Sequence, residues 1–234
     1  MTFVFYLFKE VKKYAVIVAG GSGARMKYDI PKQFVEVDGL PVIIYTLNIF
    51  ALAIPDIEFI IVVNPKWIRM WNTICEKHSI SNSYVTIEGG PKRFHSVKNG
   101  LSKITDANSL VAIHDAVRPL VSEKVIQICF KEAEIFGNAV PVIPIHDSVR
   151  KKTGNFNEAI DRNNLWIVQT PQCFQTSLIK KAYLQNYDEK FTDDALVLEN
   201  NGTQIRLVAG NFENIKITKP SDILIVEAFL KNRQ

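Results

Sequence analysis

Three observations predict an α/β fold, a mostly parallel sheet with helices on both faces. Short apolar, β-branched runs recur at 15–19, 59–63, 84–87, 110–113 and 139–143. The stretches between them carry apolar residues at steps of three and four, the spacing of amphipathic helices. Chemistry-bearing segments at 20–25 and 114–119 directly follow strands, and right-handed crossovers deliver such segments to the carboxyl edge, where α/β sheets bind ligands. At 234 residues, the chain suits one domain with an excursion.

Residues 2–8, TFVFYLF, are too short to span a bilayer, and Lys9, Lys12 and Lys13 follow the run, the reverse of a signal peptide. Residues 1–13 are read as an N-terminal extension, with 14–234 as the domain. Helices are expected over 41–53 and 65–77, and over 91–104, where Phe94, Val97, Leu101 and Ile104 form a stripe. A further helix is expected over 122–136, with Ser122 as N-cap and Gly137 as its stop. Residues 144–170 are polar and break this rhythm, and a long stretch without a helix usually has a function. It reads either as a β-arm reaching outward to a second subunit or as an ordinary surface excursion. Helices over 176–187, 193–200 and 222–230 and a strand over 204–208 complete the chain.

The composition, 47% hydrophobic and 22% charged, is that of an ordinary globular protein able to bury a large core. A net charge of +4 points away from nucleic acid and is compatible with small anionic substrates. Cys75, Cys129 and Cys173 match no metal-binding spacing, so a reduced cytosolic setting is expected.

Residues 15–33, AVIVAGGSGARMKYDIPKQ, read as a triphosphate loop. Glycines after a buried strand let the backbone approach a ligand, and Arg25 and Lys32 add positive charge. No Lys follows a glycine at P-loop spacing, and Met26 stands where a dinucleotide fingerprint needs its third glycine. The glycines alone also fit a plain strand-to-helix turn. In His114-Asp115-Ala116-Val117-Arg118-Pro119, Asp115 suits Mg²⁺ or a substrate hydroxyl, or an ion pair with Arg118 that closes a turn. His114 reads as a hydrogen-bonded structural histidine rather than a base. Arg162 and Thr170 suit a phosphate monoester, with Trp166 and Phe174 as packing residues. Thr192-Asp193-Asp194 reads as a helix start capped by Thr192, ahead of a metal site. Lys216, in the alternating strand-like NIKIT, is either a solvated edge charge or a phosphate ligand.

Together the segments AGGSGARM, PKQF, GGPKRFHSV, HDAVRP, DRNNLWIVQTPQCF, TDDA and NIKIT resemble the 2-C-methyl-D-erythritol 4-phosphate cytidylyltransferase family of the non-mevalonate isoprenoid pathway, over residues 14 to about 230. The resemblance implies a Rossmann-like nucleotidyltransferase fold with a protruding β-arm, a homodimer held by that arm, and Mg²⁺-dependent attack of the alcohol phosphate on the α-phosphorus of CTP. It implies catalytic roles for Arg25, Lys32 and Lys216. Ala19, Gly20, Gly21, Ser22, Gly23, Gly90, Ser96 and Asp115 would bind CTP, with Gly90 and Ser96 at the cytosine. Asp115, Ala116, Arg118, Ser148, Arg162 and Thr170 would hold the acceptor, with Ser148 and Arg162 serving the partner's site. Asp115 would ligate the metal, which is otherwise held through the CTP phosphates. Three positions depart from the family pattern: Ala24 for a second Arg, Pro91 for an acidic residue, and Ser148 for Thr. Ribitol-5-phosphate cytidylyltransferases share the nucleotide loops, PKQF, HDAVRP and QTPQ, but DRNNLW favours the isoprenoid family. A silent nucleotide-binding protein of this fold is a third reading, against which Arg25, Lys32, Asp115 and Lys216 argue.

Overall fold

The computed structural model describes residues 11–21, 30–80 and 84–232. Its first part runs β1 (Lys13–Ala19), the short pair β2 (Glu36–Val37) and β3 (Leu40–Pro41), α1 (Val42–Ala53), β4 (Glu58–Val63), α2 (Ile68–Lys77), β5 (Tyr84–Glu88) and α3 (Arg93–Leu101). Next come β6 (Leu110–Asp115), α4 (Glu123–Phe136), β7 (Asn138–Pro144), β8 (Val149–Thr153) and β9 (Phe156–Ile160). The remainder is β10 (Trp166–Val168), β11 (Gln172–Gln175), α5 (Thr176–Ala182), α6 (Asp194–Glu199), β12 (Leu207–Ala209) and α7 (Pro220–Lys231).

Among the described residues the main sheet has eight strands, ordered β10-β7-β11-β6-β1-β4-β5, with β12 on the other side of β7. β1 pairs in parallel with both β4 and β6. Its apolar run is buried on both faces, as a central parallel strand requires. Ala15, Ile17, Phe59, Ile61 and Ala112 point toward α1, α2 and α4, packing on Ile43, Phe50, Trp71 and Phe130. The alternate residues Val16, Ile60, Val62, Val111 and Ile113 face α3, α5 and α6 through Phe94, Val97, Ile179 and Leu198. Ser122 caps α4 as expected, its Oγ accepting from Val125 N at 3.3 Å, and Gly137 ends the helix at φ +87°, where a side chain would be strained.

Several expectations are corrected. β5 is a half-exposed edge strand rather than a buried one. β10 and β11 were not anticipated, and β11 runs antiparallel between β6 and β7. Asp193, not Thr192, caps α6, accepting from Leu196 N. Residues 214–218 belong to no sheet, and one backbone bond, from Ile217 N to Val117 O, joins the Arg118 side chain on Asn214 O in tying them to the turn after β6. Their alternation comes from Ile215 and Ile217 packing with Val42, Leu120 and α7. Within 144–170, β8 and β9 pair only with each other, as a hairpin standing off the main sheet. Cys75, Cys129 and Cys173 are buried free thiols. No helix among the described residues is long and apolar enough to cross a membrane.

Candidate functional site

A cavity of about 490 Å³ opens at the carboxyl edge of β1 and β6. Its walls gather Ala19, Gly20, Gly21, Lys32, Gly90, Ser96, Asp115 and Lys216 from four separate stretches of chain. Ser22, Gly23 and Arg25, and the departure at Ala24, lie outside the described residues.

The glycine turn is shaped by side-chain amides. Gln33 Nε2 donates to Ala19 O at 2.7 Å and to Gly21 O at 3.3 Å, and Asn64 Nδ2 to Gly20 O at 3.4 Å. Gln33 is fully enclosed, so these bonds fix the turn without competition from water. Across the cavity, Ser96 Oγ accepts from Gly90 N at 3.0 Å and donates to Lys92 O at 3.1 Å, folding the Gly89–Gly90 turn onto α3. A Cβ on Gly90 would sit 2.4 Å from His95 Cβ, so only glycine fits there. Pro91 also lines this wall.

Asp115 is the electrostatic centre. Its Oδ2 lies 2.9 Å from Lys216 Nζ and 3.5 Å from Arg118 Nε, and its Oδ1 lies 3.4 Å from Arg93 Nε. Burial alone would push this carboxyl up, but Arg93, Lys216 and Arg118 outweigh it and hold the group well below the usual carboxylate range. Arg93 is itself anchored by a bidentate pair to Asp194, at 2.8 and 2.7 Å. Tyr183 donates to the same carboxylate at 2.6 Å. Lys32 Nζ donates to Ile217 O at 2.6 Å, beside Lys216. Four cationic side chains thus face two carboxylates at this edge, an excess of positive charge suited to a polyphosphate.

The acceptor candidates are placed less uniformly. Thr170 is buried beside Asp115, its Oγ1 accepting from Asp115 N at 3.2 Å. Ala116 is buried with both backbone groups used, N to Val18 O and O from Thr46. Arg118 donates through Nη1 to Asn214 O at 2.8 Å. Ser148 and Arg162 are exposed at the hairpin's base, away from the cavity, with the Arg162 guanidinium on the His146 carbonyl. His114 is structural, as expected. Burial pushes it down to about 3, so it is neutral across the working range of pH.

Among the described residues no group of three or more His, Cys, Asp or Glu could hold a metal. Mg²⁺ commonly needs only one carboxylate plus substrate phosphates, and Asp115, the one carboxylate on the cavity wall among the described residues, fits that donor set. Sequence reasoning missed Arg93, Gln33 and Asn64, and read Asp194 as part of a helix start rather than as the anchor of Arg93. Arg93 and Gln33 stand inside GGPKRFHSV and PKQF, but their partners are distant in sequence.

A mostly parallel sheet whose carboxyl edge carries this glycine turn and cation cluster defines a nucleotidyltransferase. The family model for 2-C-methyl-D-erythritol 4-phosphate cytidylyltransferase matches residues 13–232, and the chain belongs to that family. The cytidylyltransferase of that name from Porphyromonas gingivalis is 44% identical over 223 residues, 94% of this chain and 99% of the relative. That of Bacteroides fragilis is 43% identical over 216 residues, 92% and 98% of the two chains. The crystal structure of 4-diphosphocytidyl-2C-methyl-D-erythritol synthase from Anaerococcus prevotii superposes with a TM-score of 0.80 at 27% identity, covering 94% of this chain and 96% of that one. The ribitol alternative is not favoured by these matches.

Proposed function

We propose that this chain transfers CMP from CTP to 2-C-methyl-D-erythritol 4-phosphate, giving the cytidine diphospho-alcohol and pyrophosphate. Family membership supports the reaction. The observation that carries the chemistry is the convergence of Lys32, Lys216 and Asp115 in one cavity.

The Gly20–Gly21 turn, with Arg25, wraps the triphosphate. Lys32 and Lys216 approach the α-phosphate from two sides and neutralise the charge that develops as the acceptor oxygen attacks in line. Fixed cations contribute most when they strengthen in the transition state rather than in the ground state. Asp115, held ionised by its neighbours, is the residue that would bind Mg²⁺ together with the phosphates. When bound, that ion adds charge neutralisation at the transferring group. Gly90 and Ser96 bound the narrow wall that receives the pyrimidine.

Arg118 and Thr170 hold the acceptor phosphate, joined by Ser148 and Arg162 from the hairpin of a second copy. Support for a homodimer is the uncovered apolar surface beside the hairpin. Phe156 on the hairpin is 82% exposed, and Trp166, Ile167 and Val168 on β10 are also open, apolar exposure of the kind that marks an interface. The three free thiols favour the cytoplasm.

The test is pyrophosphate release with CTP and methylerythritol phosphate, set against ribitol 5-phosphate. Release with the first acceptor alone is the expected result. Release with neither overturns the proposal.

A further inference from the structure

Thr170 and Arg118 come from different parts of the chain, yet two buried residues join them twice, His114 through its ring and Asn214 through its side-chain amide and its backbone carbonyl. On one side His114 Nδ1 lies 3.0 Å from Thr170 Oγ1, and His114 Nε2 lies 3.2 Å from the Arg118 carbonyl oxygen. On the other, Asn214 Nδ2 donates to the Thr170 carbonyl at 2.8 Å, and the Asn214 carbonyl accepts from Arg118 Nη1 at 2.8 Å. The four residues close a ring.

The protons in this ring have one consistent order. The Arg118 carbonyl can only accept, so the neutral imidazole carries its proton on Nε2 and donates it there. Nδ1 then accepts the hydrogen of Thr170, whose Oγ1 in turn accepts from Asp115 N. His114 and Asn214 are fully buried, whereas Arg118 is only partly buried and contacts Asp115 on the cavity wall. Asn214 Oδ1 is buried with no hydrogen-bond partner among the described residues. An apolar residue would fill that space without an unsatisfied atom, so packing alone does not account for an amide here.

We propose that His114 and Asn214 are positioning residues for the acceptor, holding the Thr170 segment and Arg118 at one spacing so that the incoming phosphate meets the Arg118 guanidinium in a pre-set place. This rests on the reading above, in which Thr170 and Arg118 bind the acceptor. Neither residue touches substrate. Each acts through Thr170 and Arg118, and a loosened pair weakens the acceptor rather than CTP.

Steady-state constants for both substrates test this. His114→Phe keeps a ring in the space beside Phe50, whose centroid lies 5.0 Å away, and removes both bonds. It should raise the acceptor KM about tenfold, on the order of one or two lost hydrogen bonds, and leave the CTP KM within about twofold. His114→Gln, which can still reach the Arg118 carbonyl, should recover part of the loss. If His114→Phe does not fold, His114→Gln and Asn214→Ala replace it. Their double variant should then raise the acceptor KM by less than the product of the single effects, because either break opens the same ring. Acceptor and CTP constants that move together, or single effects that multiply, overturn the proposal. Wild-type turnover with CTP and methylerythritol phosphate is measured first. Its absence overturns the proposed reaction and the ring's role with it, whereas normal wild-type turnover with unsplit constants overturns the ring alone.

Discussion

The nucleotide cavity and the β8–β9 hairpin lie at opposite extremes of how this chain supports a functional residue. Around the cavity the described side chains are braced: Ser96 by the Gly90 turn, Asp115 by three cations, and Arg93 by Asp194. On the hairpin, Ser148 and Arg162 are exposed, and the two strands pair only with each other. The contrast teaches that the described residues at the cavity are held by partners within the chain, whereas Ser148 and Arg162 are presented outward, as the proposed sharing of the acceptor site between two copies requires.

The largest expected effect deepens this contrast. Arg93→Met leaves Asp194 as a fully buried carboxylate without its cation. Breaking such a pair should cost about 3–5 kcal/mol, read as a fall in the denaturant midpoint at unchanged m-value. Next, Lys32→Ala or Lys216→Ala should lower kcat by roughly 10²–10³-fold, the loss typical of one preorganised electrostatic donor. A rise in KM alone would contradict that role.

Arg162→Ala should raise the acceptor KM roughly tenfold or more while sparing CTP. Mixing Arg162→Ala with Lys32→Ala protein should then restore activity, because one site of the mixed dimer receives both intact residues. No recovery on mixing would place Arg162 in the site of its own chain.

A smaller effect separates the buried edge from the surface by pH. His114 sits at about 3 in the fold against an ordinary 6.5. Between those values the unfolded chain takes up a proton that the folded chain refuses. Stability should therefore fall as pH drops below about 6.5, by at most roughly 1.4 kcal/mol per pH unit. His114→Gln should flatten that limb in melts taken from pH 7 to pH 4. Asp115 acts below its unfolded value of 3.8, so the two windows separate. Smallest of all, Phe156→Ser on the exposed hairpin should leave monomer stability within about 0.5 kcal/mol.

Much of the sheet was legible because buried parallel strands announce themselves as continuous apolar runs. Residues 15–19, 59–63 and 110–113 fall inside β1, β4 and β6. The antiparallel β10 and β11 were not, because Trp166 to Gln175 mixes polar and apolar residues without a period. Residues 214–218 carry a strand's alternation but have no partner strand. Ile215 and Ile217 are apolar because they pack beside α7, a tertiary cause that a local pattern cannot distinguish from pairing. At the site, Gly20, Lys32, Asp115 and Lys216 could be picked out because glycines and charges beside strand ends are unusual locally. Arg93 could not, since Asp194 lies 101 residues further on. Gln33 and Asn64 likewise act on backbone carbonyls, which leave no mark in a sequence.

The direction of β11 has one more consequence. In a parallel sheet the segment before a strand arrives at the amino edge, away from the ligands. β11 is reversed against β6, so the chain ahead of it arrives at the carboxyl edge, with Thr170 beside Asp115. The hairpin is part of that preceding chain. Its length and tip can therefore be altered, or its loop at Gly154 extended, while the anchor at Thr170 keeps its register. The inversion of β10 and β11 makes the arm an exchangeable part, open to change in length without disturbing the strands that build the cavity.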